Sequence, residues 1–160
     1  MTTAILADDH DIVRRGLRGI LENEGACKVV AEASDGLAAA QLVEKHKPQI
    51  LVLDLNMPRL HGIEVLRQTR TSSPTTRVIV LSMHSDEPYV IESLRAGAMA
   101  YILKGSESQE ILQALKEVLN GRRFLSATLS EWAINALVAK PADDSDPLQS
   151  LTQRERMVVQ

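Results

Sequence analysis

An apolar run leads straight into a carboxylate at Ile50-Leu51-Val52-Leu53-Asp54, and the chain turns directly afterwards at residues 56–58. Four apolar residues without polar alternation are typical of a strand that is covered on both faces. Residues 78–81, which read VIVL, have the same character. Parallel sheets with helices on both sides bury their strands in this way, so these runs favour an α/β fold.

Polar side chains end four of the apolar runs. In chain order these ends are Asp8-Asp9, Asp54, Ser82 and Lys104. Because the carboxyl ends of parallel strands meet at one edge of a sheet, we expect these groups to converge. Three neighbouring carboxylates repel one another, and a divalent cation relieves that repulsion. Oxygen ligands favour a hard ion, so the sequence predicts Mg²⁺, with Mn²⁺ as an alternative, beside a phosphoryl group neutralised by Lys104.

Short strand patterns alternate with longer helical patterns from residue 3 to about residue 120. Helices at about 36–46 and 62–72 fill two of the gaps, and three others follow from apolar stripes near glycines: Ile12 to Leu21, Val90 to Ala98 and Ile111 to Leu119. Right-handed crossovers then put helices on both faces of one parallel five-stranded sheet, in which a strand order of 2-1-3-4-5 makes the first and third strands neighbours. The predicted strands are 3–8, 28–33, 50–54, 77–82 and 100–103.

Composition narrows the class of protein. The chain of 160 residues is 44% hydrophobic, which suits one core of ordinary size. A net charge of −3 gives no general attraction to nucleic acid, and four aromatic residues are too few for a single-strand stacking platform. Cys27 is the only cysteine, so no internal disulfide forms. Without a secretory leader or an apolar run near 18 residues, we expect a cytoplasmic protein with no membrane contact.

The character of the chain changes after Gly121. An amphipathic pattern predicts a helix at about 126–139, and residues 140–147, which read KPADDSDP, form an acidic linker. Residues 152–155, TQRE, fit a capping box that opens a further helix. We therefore expect a first domain at 1–121, a linker helix and acidic linker at 122–147, and at 148–160 the start of a domain that is cut off.

This combination closely resembles a response-regulator receiver domain over roughly residues 3–121. The matching positions are the acidic pair Asp8-Asp9, the phosphoacceptor Asp54, the switch hydroxyl Ser82, the switch aromatic Tyr101 and the lysine Lys104. The turn DLNMP at 54–58 also matches. The opening ADDHDIVRRGL at 7–17 is similar to the NarL/FixJ class, and LTQRER at 151–156 resembles the start of its LuxR-type helix-turn-helix domain.

The resemblance implies a flavodoxin-like, doubly wound (βα)5 fold and a signalling role, not that of an enzyme. Asp54 would accept a phosphoryl group from a sensor histidine kinase. Mg²⁺ would be held by Asp9 directly, by Asp8 through water, by Asp54 and by the backbone carbonyl of Asn56. The phosphorylated protein would form a homodimer and control transcription, contacting DNA only through the missing C-terminal domain.

The resemblance also implies a switch. Lys104 would pair with the phosphoryl group, Ser82 would move toward it, and Tyr101 would rotate inward to fill the vacated space. Many receivers have proline after the lysine, whereas this chain has Gly105, so no special proline geometry is expected. Asn56 and His84 flank the phosphoryl position, where the family tunes its hydrolysis rate.

Other marked residues have plainer interpretations. His10 is expected to open the first helix, and His61 is expected to be exposed. Arg14-Arg15 is interpreted as part of a solvated helix face. Trp132 is expected to pack against a domain or dimer surface.

Three alternative functions match the sequence less well. A haloacid-dehalogenase-like phosphatase would carry a second acid two residues after the nucleophile, where this chain has Asn56. A stand-alone receiver without DNA output is disfavoured by the linker and the capped tail. A flavin-binding protein of similar fold would need a Ser/Thr- and Gly-rich loop in place of the acidic residues 8–11, which repel phosphate unless a metal is present.

Overall fold

The structure is a computed structural model that describes residues 2–23, 25, 27–83, 86–106, 108–126 and 129. Strands and helices alternate along these residues. The strands are β1 (Thr3–Ala7), β2 (Lys28–Ala33), β3 (Ile50–Asp54), β4 (Arg77–Ser82), β5 (Ala98–Leu103) and β6 (Phe124–Leu125). The helices are α1 (Asp11–Asn23), α2 (Gly36–His46), α3 (Gly62–Ser72), α4 (Glu87–Ala96) and α5 (Ser108–Leu119).

All strand pairs are parallel, and the sheet order is β2-β1-β3-β4-β5-β6. The predicted order 2-1-3-4-5 and the α/β fold are therefore confirmed. The prediction of five strands was incomplete, because β6 adds a short sixth strand beside β5. Two residues are too few to show the alternation or apolar run by which a strand is recognised in a sequence.

The segment after α5 is attached to β5 by side-chain as well as main-chain bonds. Leu125 lies opposite Tyr101 in the sheet, and the Ser126 N–H donates to the Tyr101 carbonyl at 3.0 Å. The Leu103 N–H donates to Ser126 Oγ, also at 3.0 Å. Ser126 is buried, so these bonds are sheltered from water.

Two apolar layers cover the sheet, one on each face. Every residue of β3 is buried. Leu51 and Leu53 pack in the layer that includes residues of α2, α3 and α4, whereas Ile50 and Val52 pack in the layer with α1 and α5. The uninterrupted apolar composition of β3 follows from this double burial.

Two helices have the predicted bounds, and two details of the apolar stripes were wrong. α2 and α3 span the predicted residues 36–46 and 62–72. Ala98 belongs to β5, which begins two residues earlier than predicted. Ile12 is 83% exposed, because it lies in the first turn of α1 at the sheet's carboxyl edge and not over the sheet.

Ser126, the first residue of the predicted linker helix, is not helical. Apart from Leu129, the rest of that helix lies outside the described residues, as do Trp132 and the region 148–160. The division at residues 121 and 147 therefore stays a prediction. In the part of the chain that the structure describes, no helix has the length and apolar character needed to cross a bilayer.

Candidate functional site

The carboxyl ends of β1, β3, β4 and β5 lie side by side. Ala7 pairs with Leu53, so Asp8 and Asp54 leave neighbouring strands at the same level. On the other side, Ser82 at the end of β4 pairs with Leu103, which precedes Lys104. The parallel register thus gathers the acids, the hydroxyl and the ammonium at one edge.

Lys104 lies between two buried carboxylates. Its Nζ donates to Asp54 Oδ2 at 3.0 Å and forms an ion pair with Asp8 Oδ2 at 3.1 Å. The Lys104 side chain is 11% exposed and each carboxylate side chain 2%. Burial alone would lower the pKa of Lys104, but its hydrogen bond to Asp54 and its charge attraction to Asp54 and Asp8 outweigh burial and raise that pKa.

The pKa of the Asp54 carboxyl is set by a different balance of effects. Burial raises the pKa of this carboxyl, although the Asn56 N–H donates to Oδ1 at 3.1 Å and Lys104 donates to Oδ2. The Asp8 charge adds to the increase. One ammonium therefore does not offset two buried anions, and this edge of the sheet keeps a net negative charge.

The acidic pair lies in a tight turn that His10 closes. The His10 N–H donates to Asp8 Oδ1 at 2.8 Å. The His10 Nδ1 lies 3.1 Å from the same oxygen and 3.0 Å from Asp9 Oδ1. α1 begins one residue later, so His10 opens the helix as predicted and its ring also lies against both acids.

The donor set fits a hard divalent cation. Asp8, Asp9, His10 and Asp54 each present one possible ligand atom, and all four atoms lie within 4.8 Å of one another. Asp8 Oδ2 is buried and accepts no hydrogen bond from any described residue. Because the Lys104 ammonium near this oxygen is shared with Asp54, a further cation would stabilise the buried carboxylate.

The proposed switch residues are in direct contact. Ser82 and Tyr101 are both fully buried. Burial raises the pKa of Tyr101 to about 12, although a hydrogen bond with Ser82 acts in the opposite direction. The ring of Tyr101 thus occupies the inward position, with its hydroxyl on Ser82.

Comparison with known proteins decides the family. Residues 4–116 match the family model for the response regulator receiver domain. The chain belongs to this family. It is 34% identical over 155 residues to the uncharacterized transcriptional regulatory protein YhcZ of Bacillus subtilis (strain 168), covering 97% of this chain and 72% of YhcZ.

Solved structures agree. A LuxR-family two-component response regulator from Aurantimonas sp. SI85-9A1 superposes with a TM-score of 0.79 at 34% identity, covering 86% of this chain and 99% of that one. A structure of two RcsB dimers bound to two parallel DNAs gives a TM-score of 0.73 at 27% identity, covering 87% and 68%. The predicted resemblance to LuxR-family response regulators is confirmed.

This receiver domain also has a hydrogen-bond chain that sequence reasoning missed. The Ile63 N–H donates to His61 Nδ1 at 3.2 Å, so the ring proton is assigned to Nε2, which donates to the Tyr89 hydroxyl at 2.9 Å. That hydroxyl donates to Asn56 Oδ1 at 3.3 Å. His61 is exposed as predicted, yet it connects α3 and α4 to the residue two positions after Asp54.

Gly62 lets the loop after Asp54 pack closely. A Cβ at this position would lie 2.5 Å from the Leu55 Cα and 3.0 Å from the Asp54 carbonyl oxygen. The Gly62 N–H also donates to the Leu55 carbonyl at 3.0 Å. The start of α3 is therefore in contact with the backbone that follows Asp54.

The loop after Lys104 has the expected plain geometry. Gly105 has a φ of +93°, a left-handed conformation that glycine adopts easily, and no peptide bond among the described residues is cis. His84, which the family analogy places beside the phosphoryl position, lies outside the described residues.

Proposed function

We propose that this receiver domain accepts a phosphoryl group on Asp54 from a sensor histidine kinase and thereby regulates transcription. The observation that carries the proposal is the buried Asp54 carboxylate held by Lys104, with Asp8 as a second anion beside the same ammonium. Such a site presents a nucleophilic oxygen, a cation for the incoming phosphoryl oxygens and acids for a metal.

The proposed transfer is a displacement at phosphorus. An Asp54 carboxylate oxygen forms a bond to phosphorus while the bond to the kinase imidazole nitrogen breaks, and that nitrogen keeps the electron pair and takes up a proton. The product is an acyl phosphate on Asp54. Lys104 then shares its ammonium with a phosphoryl oxygen. Mg²⁺, or Mn²⁺ in its place, would be held by Asp8, Asp9, Asp54 and the Asn56 carbonyl and would neutralise phosphoryl charge.

The proposed switch exchanges hydrogen bonds. Ser82 turns its hydroxyl from Tyr101 to a phosphoryl oxygen. We take the fully buried Tyr101 as the inward member of the proposed pair of conformations. Phosphorylation would then favour the inward conformation over an outward one.

The proposed output is cytoplasmic control of transcription by a dimer. RcsB, which is similar to this chain, forms dimers bound to DNA. We extend that arrangement to this protein as homodimerisation on phosphorylation, with DNA contacted through a LuxR-type domain that residues 148–160 begin. The motif LTQRER at 151–156 supports this assignment.

Intact mass after incubation with acetyl phosphate and Mg²⁺ tests the proposal. We expect one added phosphoryl group in the wild type and none in Asp54→Asn or without Mg²⁺. Asp35→Asn is the matched control, because asparagine also caps a helix such as α2. An adduct on Asp54→Asn would move the acceptor elsewhere, and steady phosphate release without an adduct would favour the phosphatase alternative.

A further inference from the structure

Arg14, in α1, contacts the turn that carries Asp8 and Asp9. Its Nη1 donates to the Asp8 carbonyl oxygen at 2.6 Å, its Nε donates to Glu32 Oε1 at 3.1 Å, and its Nη2 pairs with Asp11. The Arg14 side chain is 16% exposed, whereas its neighbour Arg15 is exposed. The interpretation of both arginines as a solvated helix face is therefore wrong for Arg14.

We propose that Arg14 is a positioning residue for the divalent-cation site, acting by fixing the peptide group between Asp8 and Asp9. The cation itself belongs to the proposed function, and the role of Arg14 in holding its ligands goes beyond that function.

Two other polar groups of Asp8, its N–H and Oδ1, have hydrogen-bond partners. Its N–H donates to the Ala33 carbonyl at 3.1 Å, and Oδ1 accepts from the His10 N–H. Its carbonyl oxygen accepts from Arg14, and no backbone N–H of the described residues donates to it. The plane of this peptide sets the direction in which Asp9 leaves the turn. Removing Arg14 leaves the carbonyl oxygen of that peptide group without its hydrogen-bond donor.

The guanidinium acts through geometry more than through charge. Glu32 and Asp11 pair with it on two sides, and Glu32 Oε2 also accepts from Arg18 Nη1 at 2.6 Å. These bonds fix the Arg14 guanidinium against β2. Two carboxylates offset its positive charge, so little of that charge is left to act on the acidic pair.

Charge and positioning predict opposite results for one substitution. A cation near a metal site repels the metal, so a pure charge effect makes Mg²⁺ bind more tightly when Arg14 becomes neutral. Positioning makes Mg²⁺ bind more weakly, since groups that orient metal ligands typically change affinity by about tenfold or more.

The experiment is calorimetric titration of the 160-residue chain with Mg²⁺ alone, without a phosphodonor. We expect about tenfold weaker binding for Arg14→Gln. Arg15→Gln, the matched charge control, should bind as the wild type does or slightly more tightly. Arg14→Lys keeps the charge but replaces the fork by one ammonium, so it should also bind more weakly than the wild type.

Amide NMR spectra without metal provide the control for folding. We expect the Leu53 and Ala33 signals of each variant to stay close to those of the wild type, and Arg14→Lys carries the test if Arg14→Gln does not fold. Unchanged or tighter binding by a folded Arg14 variant would overturn the positioning role alone. Failure of the wild type to bind Mg²⁺ would overturn both this role and the proposed metal-dependent function.

Discussion

The Lys104 ammonium donates to Asp54 Oδ2 at 3.0 Å, and both side chains are almost withdrawn from water. A single cation faces two carboxylates here, since Asp8 lies 3.1 Å from the same nitrogen. The edge of the sheet is consequently anionic. Removing the ammonium should lower the free energy of unfolding, whereas removing a carboxylate should raise it.

Replacing Lys104 by methionine should destabilise the metal-free protein. Loss of the ammonium leaves two buried anions uncompensated, and we expect the free energy of unfolding to fall by about 3 kcal/mol. Urea denaturation in a chelating buffer measures it. Lys45→Met, on the exposed surface of α2, is the control and should have little effect. Equal changes in the two variants would show that the Lys104 pair contributes no stability.

Replacing Asp54 by asparagine should stabilise the metal-free protein at neutral pH. Because the pKa of Asp54 is raised by burial, the folded protein holds this proton more tightly than the unfolded chain does. Stability from that proton is complete below the ordinary pKa of 3.8 and is lost as the pH rises through the raised value. The advantage of Asp54→Asn in urea denaturation should therefore shrink as the pH falls. A constant advantage at every pH would contradict this account.

Removing the Tyr101 hydroxyl should strengthen the binding of beryllofluoride with Mg²⁺. In this structure that hydroxyl is hydrogen-bonded to Ser82, and in the proposed switch the Ser82 hydroxyl turns from Tyr101 to a phosphoryl oxygen. A typical net hydrogen bond of about 1 kcal/mol corresponds to about fivefold in affinity for Tyr101→Phe. Ser82→Ala, which loses the donor itself, should bind more weakly. Titration by amide NMR compares them, and weaker binding by Tyr101→Phe would argue against the exchange.

Alanine at two glycines should have opposite effects. At Gly62 the new Cβ meets the Leu55 backbone at 2.5 Å, and overpacking of this kind should cost about 2 kcal/mol. At Gly16, within α1, nothing lies within 4 Å, so alanine should stabilise by about 1 kcal/mol through helix propensity. Denaturation curves compare the two variants with the wild type. A tolerated Gly62→Ala would mean that the loop after Asp54 can shift.

The strands at the site were predictable because burial on both faces leaves a direct mark on composition. Residues 50–53 are apolar without interruption, and the polar residue that follows, Asp54, identifies the edge. The carboxyl ends of neighbouring parallel strands then lie at the same edge of the sheet, independently of the conformation of the loops. For this reason the contacts among Asp8, Asp54 and Lys104 followed from reading the runs alone.

Contacts between side chains that are distant in sequence left no such mark. His61 and Tyr89 are 28 residues apart, and their hydrogen bond depends on how α3 and α4 are placed, which no periodicity encodes. Arg14 was misread because an arginine in an amphipathic helix is most often solvated, and only the position of β2 brings Glu32 to it. Likewise, β6 depends on a neighbour, β5, and not on its own two residues.

Ser126 gives the chain a fixed point of departure from the receiver domain. Its N–H donates to the Tyr101 carbonyl and its Oγ accepts from the Leu103 N–H, so the two bonds lie on either side of Ile102. We therefore expect a displacement of β5 to move Ser126 with it, because these two hydrogen bonds join them directly. The chain after Ser126 therefore starts from a position set by β5, the strand that senses the phosphoryl group in the proposed function.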